Sequence, residues 1–230
     1  MFIKKVNREL VVVQVYVDDI IFGSTKDDLA HSFSSMMQTK YEMSMIGKLN
    51  YFLGLQIRQS DSGIFISQSK YAENLVKKFG LESTSSVKTT MSPNVKLIVD
   101  LLGKSVDPSL YRSMKSSHLI ASRLDIAIMW ECVLNIKLIP KESHITIVKR
   151  IIKYVKTTSN FGVWYNKDTN NVLAGYSDAD WAENADDQKS TSGECFYLGN
   201  NLVSWISKKY NFISLSTTED EYIAASNCCT

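Results

Sequence analysis

Cysteine is scarce in this sequence: four in 230 residues, at Cys132, Cys195, Cys228 and Cys229. They form no CxxC pair and no spaced framework, which excludes a disulfide-stapled scaffold and predicts a reducing compartment. The three histidines, His31, His118 and His144, stand alone, so zinc-ligand spacing is absent too. No apolar run reaches the roughly 18 residues that a membrane span needs, because Asp18 and Asp19 interrupt the longest candidate. The first ten residues carry four charges and no small-residue cleavage site, unlike a secretory signal. Internal repeats and low-complexity tracts are missing as well. The expectation is a globular protein, cytoplasmic or nuclear, not secreted and without a membrane partner.

What the sequence does have is an uneven charge. Lys and Arg against Asp and Glu number 4 to 5 over residues 1–39, 18 to 9 over 40–160, and 4 to 10 over 161–230. A basic block of that size suits a polyanion such as nucleic acid, and equally suits a solvated surface.

Periodicity predicts strands over Val11–Val17 and Ile20–Phe22 with a turn between, then a helix from about Asp27. A hairpin over Leu49–Arg58 and Ile64–Ser67 turns at Asp61-Ser62-Gly63, and a helix through Tyr71, Leu75, Val76 and Phe79 stops at Gly80. Ser83–Asn94 is polar and reads as a linker. Residues 109–160 read as mostly helical, ending in a helix over Pro140–Lys156. Its apolar stripe is Ile145, Val148, Ile151, Ile152 and Val155, with Lys149, Arg150, Lys153 and Lys156 off the stripe. That basic face is a candidate phosphate contact, or the solvated side of a core helix. Beyond Asn160 come short strands over Phe161–Tyr165, Val172–Asp178, Gly193–Leu198 and Leu202–Ser207. One more is expected near Phe212–Leu215, before a helix from Ser216.

Asp18 and Asp19 sit amid apolar, β-prone residues, and burying unpaired charge costs several kcal/mol. Successive strand residues face opposite ways, so both can serve one site only at a turn. Asp is a common turn residue, which is explanation enough for a bare hairpin. The functional alternative is a divalent-metal site, in which stiffly held carboxylates bind hard cations for in-line phosphoryl displacement.

The run "YVDDIIFGS" (Tyr16–Ser24) resembles the catalytic hairpin of reverse transcriptases from copia-type LTR retrotransposons. It is followed in order by "LNYFLGLQI", "GIFISQSKYAENLVKKFG", "ASRLDI", "GYSDADWA", "KSTSG", "SWISKK" and "LSTTEDEYIAAS", each similar to its counterpart in copia-type Pol polyproteins. The resemblance covers essentially the whole chain. It implies a mixed α and β fold in three parts. Residues 1–95 would be the C-terminal part of the reverse transcriptase, with palm over 1–39 and primer-gripping hairpin and thumb over 40–95. Residues 96–160 would be a connection region, and 161–230 the start of a ribonuclease H-like α/β domain.

The resemblance further implies RNA-directed DNA polymerase and ribonuclease H chemistry with Mg2+ or Mn2+. The ligands would be Asp18 and Asp19 at the polymerase site and Asp178 and Glu221 at the nuclease site. Asp180 reads as a surface residue or as a support behind the metal ligands, and Glu219 as the acidic member of a capping box, S-x-x-E, from Ser216. Implied partners are an RNA template, an RNA–DNA hybrid and other parts of the Pol polyprotein, in a cytoplasmic virus-like particle or the nucleus. The family supplies a further polymerase Asp upstream of this sequence and further nuclease Asp residues downstream, so the isolated chain is expected to be inactive. Departures point the same way: Leu124 where Pro is usual, a shortened stretch over Lys115–Ile126, Glu183 for Gly, and Asp220 for a frequent Ala. The alternatives are a catalytically dead nucleic-acid-binding remnant and a pseudogene product.

Overall fold

The computed structural model describes residues 1–91, 100, 102–114, 117–134, 140–182 and 188–229. The end of the expected linker, the start of the shortened stretch and Glu183 lie outside the described residues. The chain is mixed α and β and forms two compact units, Met1–Asn50 and Tyr51–Thr230. The boundaries expected at 95 and 160 both fall inside the second unit.

In the first unit, β1 (Phe2–Val6), β2 (Glu9–Tyr16) and β3 (Asp19–Ser24) form an antiparallel sheet in that order. Strand β1, which the sequence reading missed, pairs Phe2 with Val13 and Val6 with Glu9. Helix α1 (Asp27–Lys40) begins with two aspartates that complement its dipole. It packs back on the sheet through Phe33, whose ring lies 5.0 Å from that of Phe22.

The second unit opens with β4 (Tyr51–Phe52), β5 (Leu55–Ser60) and β6 (Gly63–Ser67), then α2 (Ser69–Lys78). Gly80 ends α2 in the left-handed region at φ 63°, where glycine is unstrained. Its N–H donates to the Lys77 carbonyl and that of Leu81 to the Val76 carbonyl, the Schellman pattern, with Leu81 buried against the core. After α3 (Pro108–Met114), the 3-10 turns Ser117–Ala121 and Leu124–Ile126, and α4 (Ala127–Leu134) comes α5 (Glu142–Thr157). All five stripe residues of α5 are buried, in a core shared with Leu75, Val76, Met114, Leu119 and Trp130. His144 has a structural task at the head of α5: its Nδ1 accepts the Lys141 N–H at 3.0 Å.

Strand β7 (Gly162–Asn166) pairs antiparallel with β6, giving the sheet order β4-β5-β6-β7. It therefore joins the hairpin of residues 55–67 rather than the strands that follow it. Those are β8 (Leu173–Asp180), β9 (Thr191–Leu198) and β10 (Asn201–Lys209), an antiparallel meander with β9 in the middle, followed by α6 (Thr217–Cys229). The strand expected at Phe212–Leu215 does not form. Ser214 is instead buried in irregular backbone, its carbonyl accepting the Trp181 indole N–H and its hydroxyl donating to Asp220. No helix among the described residues is long and apolar enough to cross a membrane.

Candidate functional site

Asp18 and Asp19, the expected polymerase-side ligands, occupy the tip of the β2–β3 hairpin. Tyr16 pairs with Asp19, leaving Val17 and Asp18 as a two-residue loop. Val17 takes φ 50°, a conformation that a β-branched residue adopts only under strain. Among the described residues Asp18 is not in this region, so a positive φ at the first loop position alone matches a type II′ turn. Both carboxylates are exposed, which resolves the burial problem posed by the apolar run. The ladder thus lets the hairpin bring two adjacent acids to one end. Hard oxygen donors of this kind suit a Mg2+ or Mn2+ ion, which commonly takes one or two carboxylates and completes its shell with water and substrate phosphate. Among the described residues no three His, Cys, Asp or Glu side chains gather into a metal-binding group.

The expected nuclease-side residues are Asp178, on β8 opposite Gly193, and Glu221, just past the first turn of α6; both are exposed. Helix α6 covers the face of β8 to which Gly175 points, since a Cβ built there would lie 2.7 Å from Cys228 Sγ. The ladder is regular through Asp180, so alternation gives Asp178 the opposite face. Strand β8 is the outer strand of its sheet, and an ion shared with Glu221 would have to sit around that edge.

Neighbouring acids have other tasks. Glu219 accepts the Leu215 N–H at 2.6 Å while its own N–H donates to Ser216 Oγ at 3.1 Å, which caps the head of α6. Asp220 is fully buried, its Oδ1 accepting from Ser214 Oγ at 2.6 Å and its Oδ2 having no hydrogen-bond partner.

The four basic candidates on α5 divide. Lys149 is exposed and Lys153 half-buried, and neither makes an internal ion pair or hydrogen bond among the described residues. Arg150 donates to Thr89 Oγ1 at 2.9 Å. Lys156 donates to the carbonyls of Glu82 and Thr84, tying the segment after α2 to the end of α5.

Sequence reading passed over a buried cation in the "ASRLDI" stretch. Arg123 is 2% exposed and gives two bonds to Asp125, at 2.8 and 2.7 Å, and two to Thr158, its carbonyl and Oγ1, at 3.0 and 2.6 Å. Tyr154 OH adds a bond to Asp125 Oδ2 at 2.8 Å, and the rings of Tyr154 and Phe161 lie 5.8 and 5.5 Å from the guanidinium carbon. Burial alone would raise the Asp125 carboxyl, but the Arg123 bonds and charge, with the Tyr154 hydroxyl, hold it below the usual carboxylate range. The signal was present as an Arg two residues before an Asp, but nothing local distinguishes such a pair from a surface one.

Comparison with known proteins follows the same lines. The reverse transcriptase (RNA-dependent DNA polymerase) family matches residues 1–93. The chain is similar to the retrovirus-related Pol polyprotein from transposon RE1 of Arabidopsis thaliana, 32% identical over 229 residues, 99% of the chain and 16% of that protein. A similar Pol polyprotein from transposon TNT 1-94 of Nicotiana tabacum is 27% identical over 229 residues, 95% of the chain and 17% of that protein. An uncharacterized mitochondrial protein of Arabidopsis thaliana is 32% identical over 212 residues, covering 91% of the chain and 88% of its own length. The chain thus spans about a sixth of the polyproteins that it matches. No solved structure matches it at a significant level.

Proposed function

Since the chain belongs to the family of copia-type retrotransposon Pol proteins, we propose that it is a nucleic-acid-handling segment of a polymerase–ribonuclease H module. In this reading Asp18 and Asp19 are the polymerase-side ligands of Mg2+ or Mn2+, and Asp178 and Glu221 are nuclease-side ligands at the edge of β8. The palm-to-thumb part runs over 1–95, the connection over 96–160 and the nuclease-like part over 161–230, with RNA–DNA hybrid as partner. The observation that carries it is the acidic tip of the β2–β3 hairpin, inside the segment matched by the reverse transcriptase family.

Bound there, a divalent ion would stabilise the charge that develops in phosphoryl transfer. The chain's own contribution is positional: the strained Val17 turn holds two carboxylates on a stiff ladder. Two adjacent carboxylates do not supply a two-metal site by themselves, and the family adds an acid from a neighbouring strand. The isolated chain should therefore show no Mg2+-dependent primer extension on a primed RNA template. Joined to the upstream palm segment of a copia-type Pol, it should extend the primer, and Asp18→Asn or Asp19→Asn should abolish that extension. A joined protein whose extension is indifferent to both substitutions overturns the assignment.

One observation favours a second reading, a catalytically silent nucleic-acid binder: Asp178 lies on the sheet face opposite to the one that α6 covers.

A further inference from the structure

Beneath the head of α6 lie three buried oxygens without a hydrogen-bond partner: Asp220 Oδ2, Ser192 Oγ and Tyr210 OH. Their residues are 0%, 1% and 3% exposed. An unpaired buried polar atom is costly, and an uncompensated buried carboxylate costs far more. Three such atoms under one helix end call for a common partner.

The ladder and the helix bring them to one place. Gly175 faces α6, so Ser177 and Ala179 share its face, and so does Ser192, which pairs with Ala179. One step beyond the Lys209–Thr191 pair, the Tyr210 N–H donates to the Ser190 carbonyl, which puts Tyr210 on that face too. On α6, Asp220, Ala224 and Cys228 recur every fourth residue, about 6 Å along the axis, close to the advance of two strand residues. Cys228 meets Gly175 and Ala224 is fully buried, so Asp220 comes over Ala179 and its neighbour Ser192. A second route agrees: Ser214, which holds Asp220 Oδ1, also accepts the indole N–H of Trp181, the residue after β8. Ser190 closes the same end, its hydroxyl accepting the Ala182 N–H at 3.1 Å.

Donor type and charge decide the occupant. All three atoms are oxygens, which suits a hard cation rather than a soft one. Asp220 makes no ion pair among the described residues, so its carboxylate lacks a positive partner. A water molecule would bridge the oxygens but leave that charge in place. A divalent ion would leave an excess of positive charge, and among the described residues no three His, Cys, Asp or Glu side chains gather to offset it. One carboxylate with two hydroxyls balances a single positive charge.

We propose that Asp220 Oδ2, Ser192 Oγ and Tyr210 OH bind a monovalent alkali cation, Na+ or K+, between α6 and the sheet of β8, β9 and β10. The ion ties the head of α6 to β9 and β10. The site is separate from the exposed Asp178 and Glu221, and it does not depend on the nucleic-acid reading.

The test is urea unfolding of the whole chain in NaCl, KCl and choline chloride at equal ionic strength, so that general screening cancels. The wild-type midpoint should be higher in one or both alkali salts than in choline chloride. At about ten times its dissociation constant, the ion raises the folding equilibrium constant about tenfold. Asp220→Asn should lose the difference between salts, and Ser192→Ala and Tyr210→Phe should need more ion to reach it. A cooperative transition in choline chloride shows that each variant is folded. Equal wild-type midpoints in all three salts, or an alkali effect that Asp220→Asn keeps, overturns the site.

Discussion

Asp220 shows what one residue costs when its surroundings are not built for it. Its side chain is fully buried in the first turn of α6, with one bond from Ser214 and nothing on Oδ2. A buried polar atom without a partner costs about 1–3 kcal/mol by mutational measure, and a carboxylate more. Without a cation there, Asp220→Ala removes that penalty and leaves only the small, buried Ser214 hydroxyl without its acceptor. The variant should therefore be more stable by about 1 kcal/mol in urea denaturation, and a destabilised one would mean that Oδ2 has a partner. Val17 is strained in another way, a β-branched side chain at φ 50° on the hairpin tip. At this scale the sequence was legible wherever a residue had only one place to go. Two adjacent aspartates in an apolar run required a turn, and Gly80 required a helix end. It was not legible where the partner is a backbone group that no pattern marks, whether near in sequence or distant. His144 was a lone histidine until its Nδ1 was seen to cap α5, and Lys156 was one more surface lysine until its two carbonyl acceptors came into view.

Among the elements, β7 departs furthest from expectation, and its departure has a physical reason. Its β-branched and aromatic "GVWYN" stretch marked it as a strand, but such composition says nothing about which edge a strand will join. The close approach of Gly162 to β6 decides it: a Cβ there would lie 2.2 Å from the Ile66 carbonyl oxygen. The Arg123–Asp125 pair then ties the 3-10 turn at Leu124–Ile126 to the end of α5 and, through the Phe161 ring, to the start of β7. Because the Asp125 carboxyl is held below its ordinary value, the staple contributes fully above the unfolded carboxyl value. Its contribution is lost as pH falls through the lower folded value. The stability difference between wild type and Asp125→Asn should be constant from about pH 5 to 7 and shrink below about pH 4. Parallel stability curves down to acid denaturation would mean that the carboxylate charge is not what Arg123 needs.

For the whole molecule, the question is how much of the basic excess over residues 40–160 is available to a polyanion. Eighteen Lys and Arg face nine Asp and Glu there, but formal charge overstates what a phosphate can reach. Lys156 points its ammonium at two carbonyls, Arg123 is buried in an ion pair, and Arg150 bonds Thr89. Among the described residues, the positive charge on α5 without internal partners is that of Lys149 and Lys153, one helical turn apart on the side away from the apolar stripe. Each phosphate neutralised contributes about 0.9 to the slope of log affinity against log salt for a duplex. Replacing Lys149 and Lys153 together by Gln should flatten the slope for an RNA–DNA hybrid by about two units and leave the unfolding midpoint unchanged. Lys156→Gln should do the reverse, lowering the midpoint because two carbonyls lose their donor while the slope stays put. Filter binding across a salt series, paired with thermal unfolding of the same variants, measures both. A slope that ignores Lys149 and Lys153 would return α5 to a core helix with a solvated outer face, and the acid-tipped hairpin would then need another surface to hold its substrate.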